Sequence, residues 1–199
     1  MPKFFLLNSS YKCIIIINQK IAININLFRE SYILNNVKIV IMDVYGVLTD
    51  GKIILDANGI ESKAFYVQDG SAIIYLHRAG IKTAIISGRA SKVVELRAKE
   101  LCIEDVYLGI HKKLDAYEQI VKKHKIKDSE ICYIGDDLID LPILRKVGFS
   151  VAVPNAPSEV KENVSYITDA PGGYGAIREV TEKILKSQGK WNKIISRYC

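Results

Sequence analysis

The chain has 199 residues, about half of them apolar and a quarter charged, enough for one well-buried core and outside the composition of disordered chains. Its net charge of +6 comes without any block of Lys and Arg interleaved with aromatics, which argues against nucleic acid and leaves a small anionic partner. Cys13, Cys102, Cys132 and Cys199 form no C-x-x-C pair, and the apolar run Cys13–Ile17 stops at Asn18, too short to span a bilayer, so neither a zinc site nor a membrane is expected and a reduced, cytoplasmic setting fits.

Residues 1–36 are dominated by Ile, Asn and Lys and read as an N-terminal appendage. Ile21, Ile23 and Ile25 alternate with polar neighbours, which leaves open an arm that docks on a partner subunit. From Val37 onward short β-branched runs alternate with amphipathic stretches, the pattern of parallel strands crossed over by helices. This predicts an α/β, doubly wound, Rossmann-like domain over 37–190, followed by a tail at 191–199. Strands are expected at Lys38–Met42, Lys82–Ile86, Asp105–Leu108, Ile131–Ile134 and Ser150–Val153. Helices are expected near 70–79, 91–101, 113–124, 138–146 and 175–187. Leu114, Tyr117 and Val121 share one helix face, as do Ile177, Val180 and Ile184. After the first strand, Ile53–Leu55 and Ser62–Val67 flank Asp56-Ala57-Asn58-Gly59 and predict an inserted β-hairpin in place of a large cap domain. It belongs over the carboxyl ends of the strands, where open α/β sheets bind ligands.

Four features fall at those carboxyl ends. The first strand stops at Asp43, whose carboxylate can attack phosphorus and divide one difficult displacement into two easier steps. An acid at a strand end is also an ordinary turn cap. Ser87-Gly88-Arg89 follows the second long strand and offers a hydroxyl, backbone N–H groups and a guanidinium fork to an anion. Lys113 opens a helix, where the macrodipole disfavours a cation and an anionic partner would compensate. Gly135-Asp136-Asp137-Leu138-Ile139-Asp140 crowds three acids behind a buried strand, an arrangement that suits Mg²⁺.

The ordered set Asp43, Ser87, Lys113 and Asp136/Asp137, together with Gly172–Val180, resembles the motifs of the haloacid dehalogenase superfamily, over about Val37 to Lys190. The likeness is to its capless branch, which includes phosphatases of 3-deoxy-D-manno-octulosonate 8-phosphate. It implies Mg²⁺-dependent hydrolysis of a sugar-acid phosphate through an aspartyl phosphate on Asp43, a cytoplasmic step of lipopolysaccharide biosynthesis. It further implies that Asp43, the backbone carbonyl of Tyr45, Asp136 and Asp137 serve the metal, with Asp137 and Asp140 acting through waters. Ser87, Gly88 and Lys113 would grip the phosphoryl oxygens, and Arg89 would favour an octulosonate. A homotetramer is implied, with the hairpin at about Lys52–Phe65 packed on a neighbouring subunit.

Three positions depart from that pattern. The branch carries a second aspartate two residues after the nucleophile, as general acid and then base, and this chain has Tyr45. A phenol with a pKa near ~10 can give up a proton to a leaving alkoxide but rarely accepts one at neutral pH, and positioned acid–base catalysis contributes roughly 10²–10⁴-fold. Tyr66 and Gln68 stand where the branch often has Asn and Arg, so both are candidate substrate contacts. Arg178 either faces the pocket or pairs with Glu179 or Glu182. The alternatives are a degenerate phosphatase fold kept for assembly or ligand binding, and, last, a dehalogenase, because haloacid dehalogenases carry Asp-x-Tyr-Gly at this place.

Overall fold

The computed structural model describes residues 29–199. Helix α1 (29–36) leads into β1 (Ile39–Met42), followed by β2 (Ile54–Leu55), β3 (Glu61–Ser62), α2 (Val67–Arg78), β4 (Lys82–Ile86), α3 (Lys92–Glu100), β5 (Asp105–Tyr107) and α4 (Lys113–His124). Then come β6 (Ile131–Gly135), α5 (Leu141–Leu144), β7 (Phe149–Ala152), α6 (Ser158–Lys161), β8 (Tyr166–Ile167), α7 (Ala176–Ser187) and α8 (Trp191–Ile195). Six strands form one parallel sheet in the order β5-β4-β1-β6-β7-β8, and β2 and β3 form the separate antiparallel hairpin. The doubly wound α/β expectation is thus met. The chain leaves β1 toward β4 and later returns to its other side at β6, so the switch in winding direction lies beside the carboxyl end of β1.

A strand covered on both faces must be apolar throughout, and Ile39–Met42 is buried at every position. Val40 and Met42 join Ala72, Ile73, Leu76, Val180 and Ile184 of α2 and α7 in one core, while Ile39 and Ile41 join Ala116, Tyr117 and Ile120 of α4 in the other. Side chains alternate across a strand, so one short run serves both layers. Each buried Ile or Val contributes about 1.5–3 kcal/mol, which makes β1 the least adjustable part of the sheet.

Several boundaries differ from the sequence expectation. The second arm of the hairpin ends at Ser62, and α2 already starts at Val67, because Asp69 in its first turn is buried and accepts from the N–H groups of Gly175 (3.1 Å) and Arg178 (2.8 Å). The helix expected near 138–146 is a 3₁₀ turn at Leu138–Asp140 followed by α5, with Pro142 in its first turn. Helix α6 and the edge strand β8 have too few residues to show a period.

Helix 29–36 lies within the expected appendage but packs on the domain. Leu34 is buried in the first core, Glu30 pairs with Lys183 at 2.6 Å, and Gln188 donates to the carbonyls of Leu34 and Val37. The arm at Ile21, Ile23 and Ile25 lies outside the described residues. In the expected tail, α8 buries Ile194 and sets Trp191 edge-on to Tyr75. Among the described residues, no helix is long and apolar enough to cross a membrane.

Candidate active site

The site begins where β1 runs out. Asp43 keeps an extended backbone and its N–H bonds the Ile134 carbonyl at 3.0 Å, the last rung toward β6. The chain then wraps tightly through Val44–Leu48, closed by Thr49 N–H on the Val44 carbonyl at 2.9 Å. The wrap needs glycine at 46 twice over: φ is +81°, and a Cβ there would collide with the Asp136 carboxylate. Gly172, from the Gly-rich C-terminal segment, leaves no room for a Cβ against the Gly46 carbonyl, and Gly173 N–H holds the Val47 carbonyl at 2.9 Å. Two distant segments therefore brace the Asp43 loop.

Asp43, Asp136 and Asp140 bring carboxylate oxygens within 4.8 Å of one another. Lys113, buried at the start of α4, places Nζ 2.7 Å from Asp140 Oδ1 and 2.9 Å from Asp43 Oδ1. The second approach lies off hydrogen-bond direction, so Asp43 Oδ1, like Asp136 Oδ1, is buried without a donor. Burial pushes the Asp43 carboxyl up to about 6 against the pull of Lys113. Burial and the neighbouring Asp43 and Asp140 push Asp136 up to about 8. For Lys113, burial opposes the charge, but Asp43 and Asp140 outweigh it and hold the amine above its ordinary value. Three crowded acids, Asp43 and Asp140 buried and Asp136 partly so, face one cation, and two of their oxygens are buried without donors. A divalent ion with a preference for oxygen ligands meets that excess, so the residues fit Mg²⁺.

The acid motif divides its work between Asp137 and Asp140. Asp137 is exposed, and its side chain accepts from Leu138 N–H at 2.7 Å, capping the 3₁₀ turn. Asp140 is fully buried and joins the cluster with Asp43 and Asp136. It takes the Tyr133 hydroxyl at 2.5 Å and Lys113 at 2.7 Å on one oxygen, and the N–H groups of Asp136 and Asp137 at 3.1 and 3.2 Å on the other. Asp140 is thus a strut for Lys113 and for the acid loop. Sequence reasoning did not single out Tyr133, although period-two alternation along Ile131–Gly135 puts it on the α4 face with Lys113.

Ser87 is buried at the carboxyl end of β4, its hydroxyl reached only by a long 3.5 Å approach from Arg89 N–H. Gly88 beside it would have only the Ile110 carbonyl and Ile139 Cδ1, both at 3.9 Å, near a Cβ. Arg89 is exposed, with its guanidinium carbon 5.3 Å from the centre of the Tyr45 ring.

Tyr45 turns toward the hairpin. Its hydroxyl donates to Glu61 Oε1 at 3.0 Å, and Lys63 Nζ lies 3.7 Å from its ring centre. Glu61 also receives Ser91 Oγ at 2.5 Å and Lys63 Nζ at 2.9 Å. The Ser91 hydrogen bond is the main cause that lowers the Glu61 carboxyl to about 2, helped by Lys63 and Tyr45 against partial burial. The contacts of Tyr66 run to a crevice with Leu48, Phe65, Asp69 and Arg97, and Gln68 is exposed on the first turn of α2. The structure joins neither to the carboxylate cluster. Arg178 pairs with Glu182 at 2.6 Å and sits between Tyr75 and Trp191, the duller of its two accounts.

A second cleft, at the amino ends of β4 and β5, is lined by His77, Thr83, Asp105 and His124. Its polar groups pair with one another, His77 with Thr83 and His124 with Asp105, both at 2.6 Å. It lies at the opposite end of the sheet from Asp43.

Residues 102–177 match the family of haloacid dehalogenase-like hydrolases. The chain is 44% identical over 155 residues, 78% of its length and 82% of the relative's, to 3-deoxy-D-manno-octulosonate 8-phosphate phosphatase of Salmonella typhi. The crystal structure of that phosphatase from Moraxella catarrhalis, in complex with magnesium, phosphate and KDO, superposes with a TM-score of 0.84 at 44% identity, covering 85% of this chain and 98% of that one. The cobalt-bound form from Haemophilus influenzae gives 0.77 at 42% identity, covering 79% and 92%. With fold, motif order and identity in agreement, the chain belongs to the haloacid dehalogenase superfamily, in the branch of its 3-deoxy-D-manno-octulosonate 8-phosphate phosphatases.

Proposed function

We propose that this chain hydrolyses a sugar-acid phosphate, 3-deoxy-D-manno-octulosonate 8-phosphate or a close relative, in a Mg²⁺-dependent reaction with Asp43 as nucleophile. One observation carries the reading: three acids, two of them buried, and one buried lysine converge at the carboxyl end of the central strand, with oxygens that lack donors. Asp43, Asp136 and the Tyr45 carbonyl would hold the ion. When bound, Mg²⁺ supplies positive charge that offsets the carboxylates and draws phosphoryl oxygens toward them.

The protein's own groups do the rest. Asp43 presents a carboxylate oxygen for attack on phosphorus. Lys113, fixed by Asp140, meets the charge that spreads over the phosphoryl oxygens, and Ser87 offers its hydroxyl to the same oxygens. Arg89 at the mouth of the site suits the carboxylate of a sugar acid. Mg²⁺-dependent phosphate release from the octulosonate phosphate should be measurable and should vanish in Asp43→Asn. A well-folded protein with no release above background would refute the reading.

A homotetramer in the cytoplasm accompanies this proposal. Its support is the hairpin, where Ile53, Ile54, Leu55 and Ile60 are each about half exposed or more, an apolar surface that suits subunit contact. Light scattering on the native protein should give four chains per particle, and Leu55→Lys should reduce that number.

A further inference from the structure

Cleavage of an alkyl phosphate leaves an alkoxide, a poor leaving group unless a proton reaches it as the P–O bond breaks. The contacts of the groups around Asp43 show which of them can deliver one. Lys113 is held between Asp43 and Asp140. Asp140 already accepts four hydrogen bonds. Asp136 belongs to the proposed metal set. The Tyr45 hydroxyl, nearest in sequence to the nucleophile, gives its hydrogen to Glu61, and Ser91 and Lys63 hold Glu61 in place for it. Arg89, 5.3 Å from the Tyr45 ring, attracts an anion but does not surrender a proton.

Resting on the proposed phosphoryl transfer through Asp43, we infer that this site favours phosphoryl donors whose leaving group departs as a stable anion, acyl phosphates first and alkyl phosphates last. In that reaction an Asp43 carboxylate oxygen forms a bond to phosphorus while the bond from phosphorus to the acyl oxygen breaks. The departing carboxylate keeps the electron pair, needs no proton and leaves past Arg89. Water then attacks the aspartyl phosphate, the bond between phosphorus and Asp43 breaks, and the water protons pass to the phosphate and to solvent. The Tyr45–Glu61 contact is a clasp on the hairpin and not a proton source.

The test measures two donors, acetyl phosphate and an octulosonate 8-phosphate, on the full chain with Mg²⁺, reading both turnover and the mass increase of one phosphoryl group on Asp43. Wild type should form the adduct much faster from acetyl phosphate. In Tyr45→Asp the preference for acetyl phosphate should fall by roughly 10²–10⁴-fold, the contribution of a restored positioned acid. A series of substituted phenyl phosphates on wild type needs no variant, and its kcat/KM should drop steeply as the leaving phenol becomes more basic. Equal adduct formation from both donors, or a flat phenyl series, would overturn the inference while leaving the phosphatase reading intact. An Asp43 that takes no phosphoryl group from any donor would overturn that reading itself.

Discussion

The carboxylate cluster and the hairpin clasp each take one residue from the same loop, Asp43 and Tyr45, two apart in sequence, and they handle charge in opposite ways. Around Asp43 three acids face one lysine in a buried setting, and two oxygens have no donor. Around Tyr45, a single acid, Glu61, takes a phenol, a hydroxyl and an ammonium, with none left wanting. A fold that crowds acids with too few donors at one place and supplies every donor at the next is prepared for a ligand at the first and for rigidity at the second.

Breaking the first region has the largest expected effect. Asp43→Asn removes the proposed nucleophile and should abolish turnover and the phosphoryl adduct together. Lys113→Met should lower kcat by roughly 10²–10³-fold through lost charge stabilisation. It should also destabilise the fold, because breaking a buried pair from one side costs about 3–5 kcal/mol. Urea unfolding would read the second effect independently of activity.

Mg²⁺ sharpens the same contrast. It should raise the melting temperature of wild type, by the equivalent of about 2.7 kcal/mol at a hundredfold excess over Kd. Asp136→Asn should lose most of that shift, and without Mg²⁺ it should be no less stable than wild type, because it removes one of three crowded acids.

The smallest effect belongs to the clasp. Folding lowers the Glu61 carboxyl to about 2, below its ordinary value near ~4.3. Its contribution is therefore complete above about pH 4.3 and is lost as pH falls toward 2. Glu61→Gln should flatten stability across that window, and urea midpoints at pH 5 and pH 3 would show it. An unchanged difference between the two midpoints would mean that the clasp carries no weight.

The predicted strand at Lys82–Ile86 and the helix at 113–124 match the structure because their signals are local: a β-branched run in one, a stripe of apolar residues in the other. The convergence of Asp43, Lys113 and Asp136 was legible for the same reason, since each ends a strand or opens a helix at one end of a parallel sheet. The fate of Asp137 and Asp140 was not. Both follow the same strand, and only the 3₁₀ turn at Leu138–Asp140, capped by Asp137, and the Tyr133 hydroxyl decide that one faces solvent and the other the core.

Residue identity and order alone determined the sheet, the place of the Asp43 loop at its carboxyl end and the excess of acid, because strand burial and motif spacing are properties of neighbouring positions. Tertiary structure alone decided what Tyr45 does. Its partner Glu61 stands 16 residues away across the hairpin, with Ser91 a further 30 beyond, and a hydrogen bond of that kind depends on where three segments meet in space.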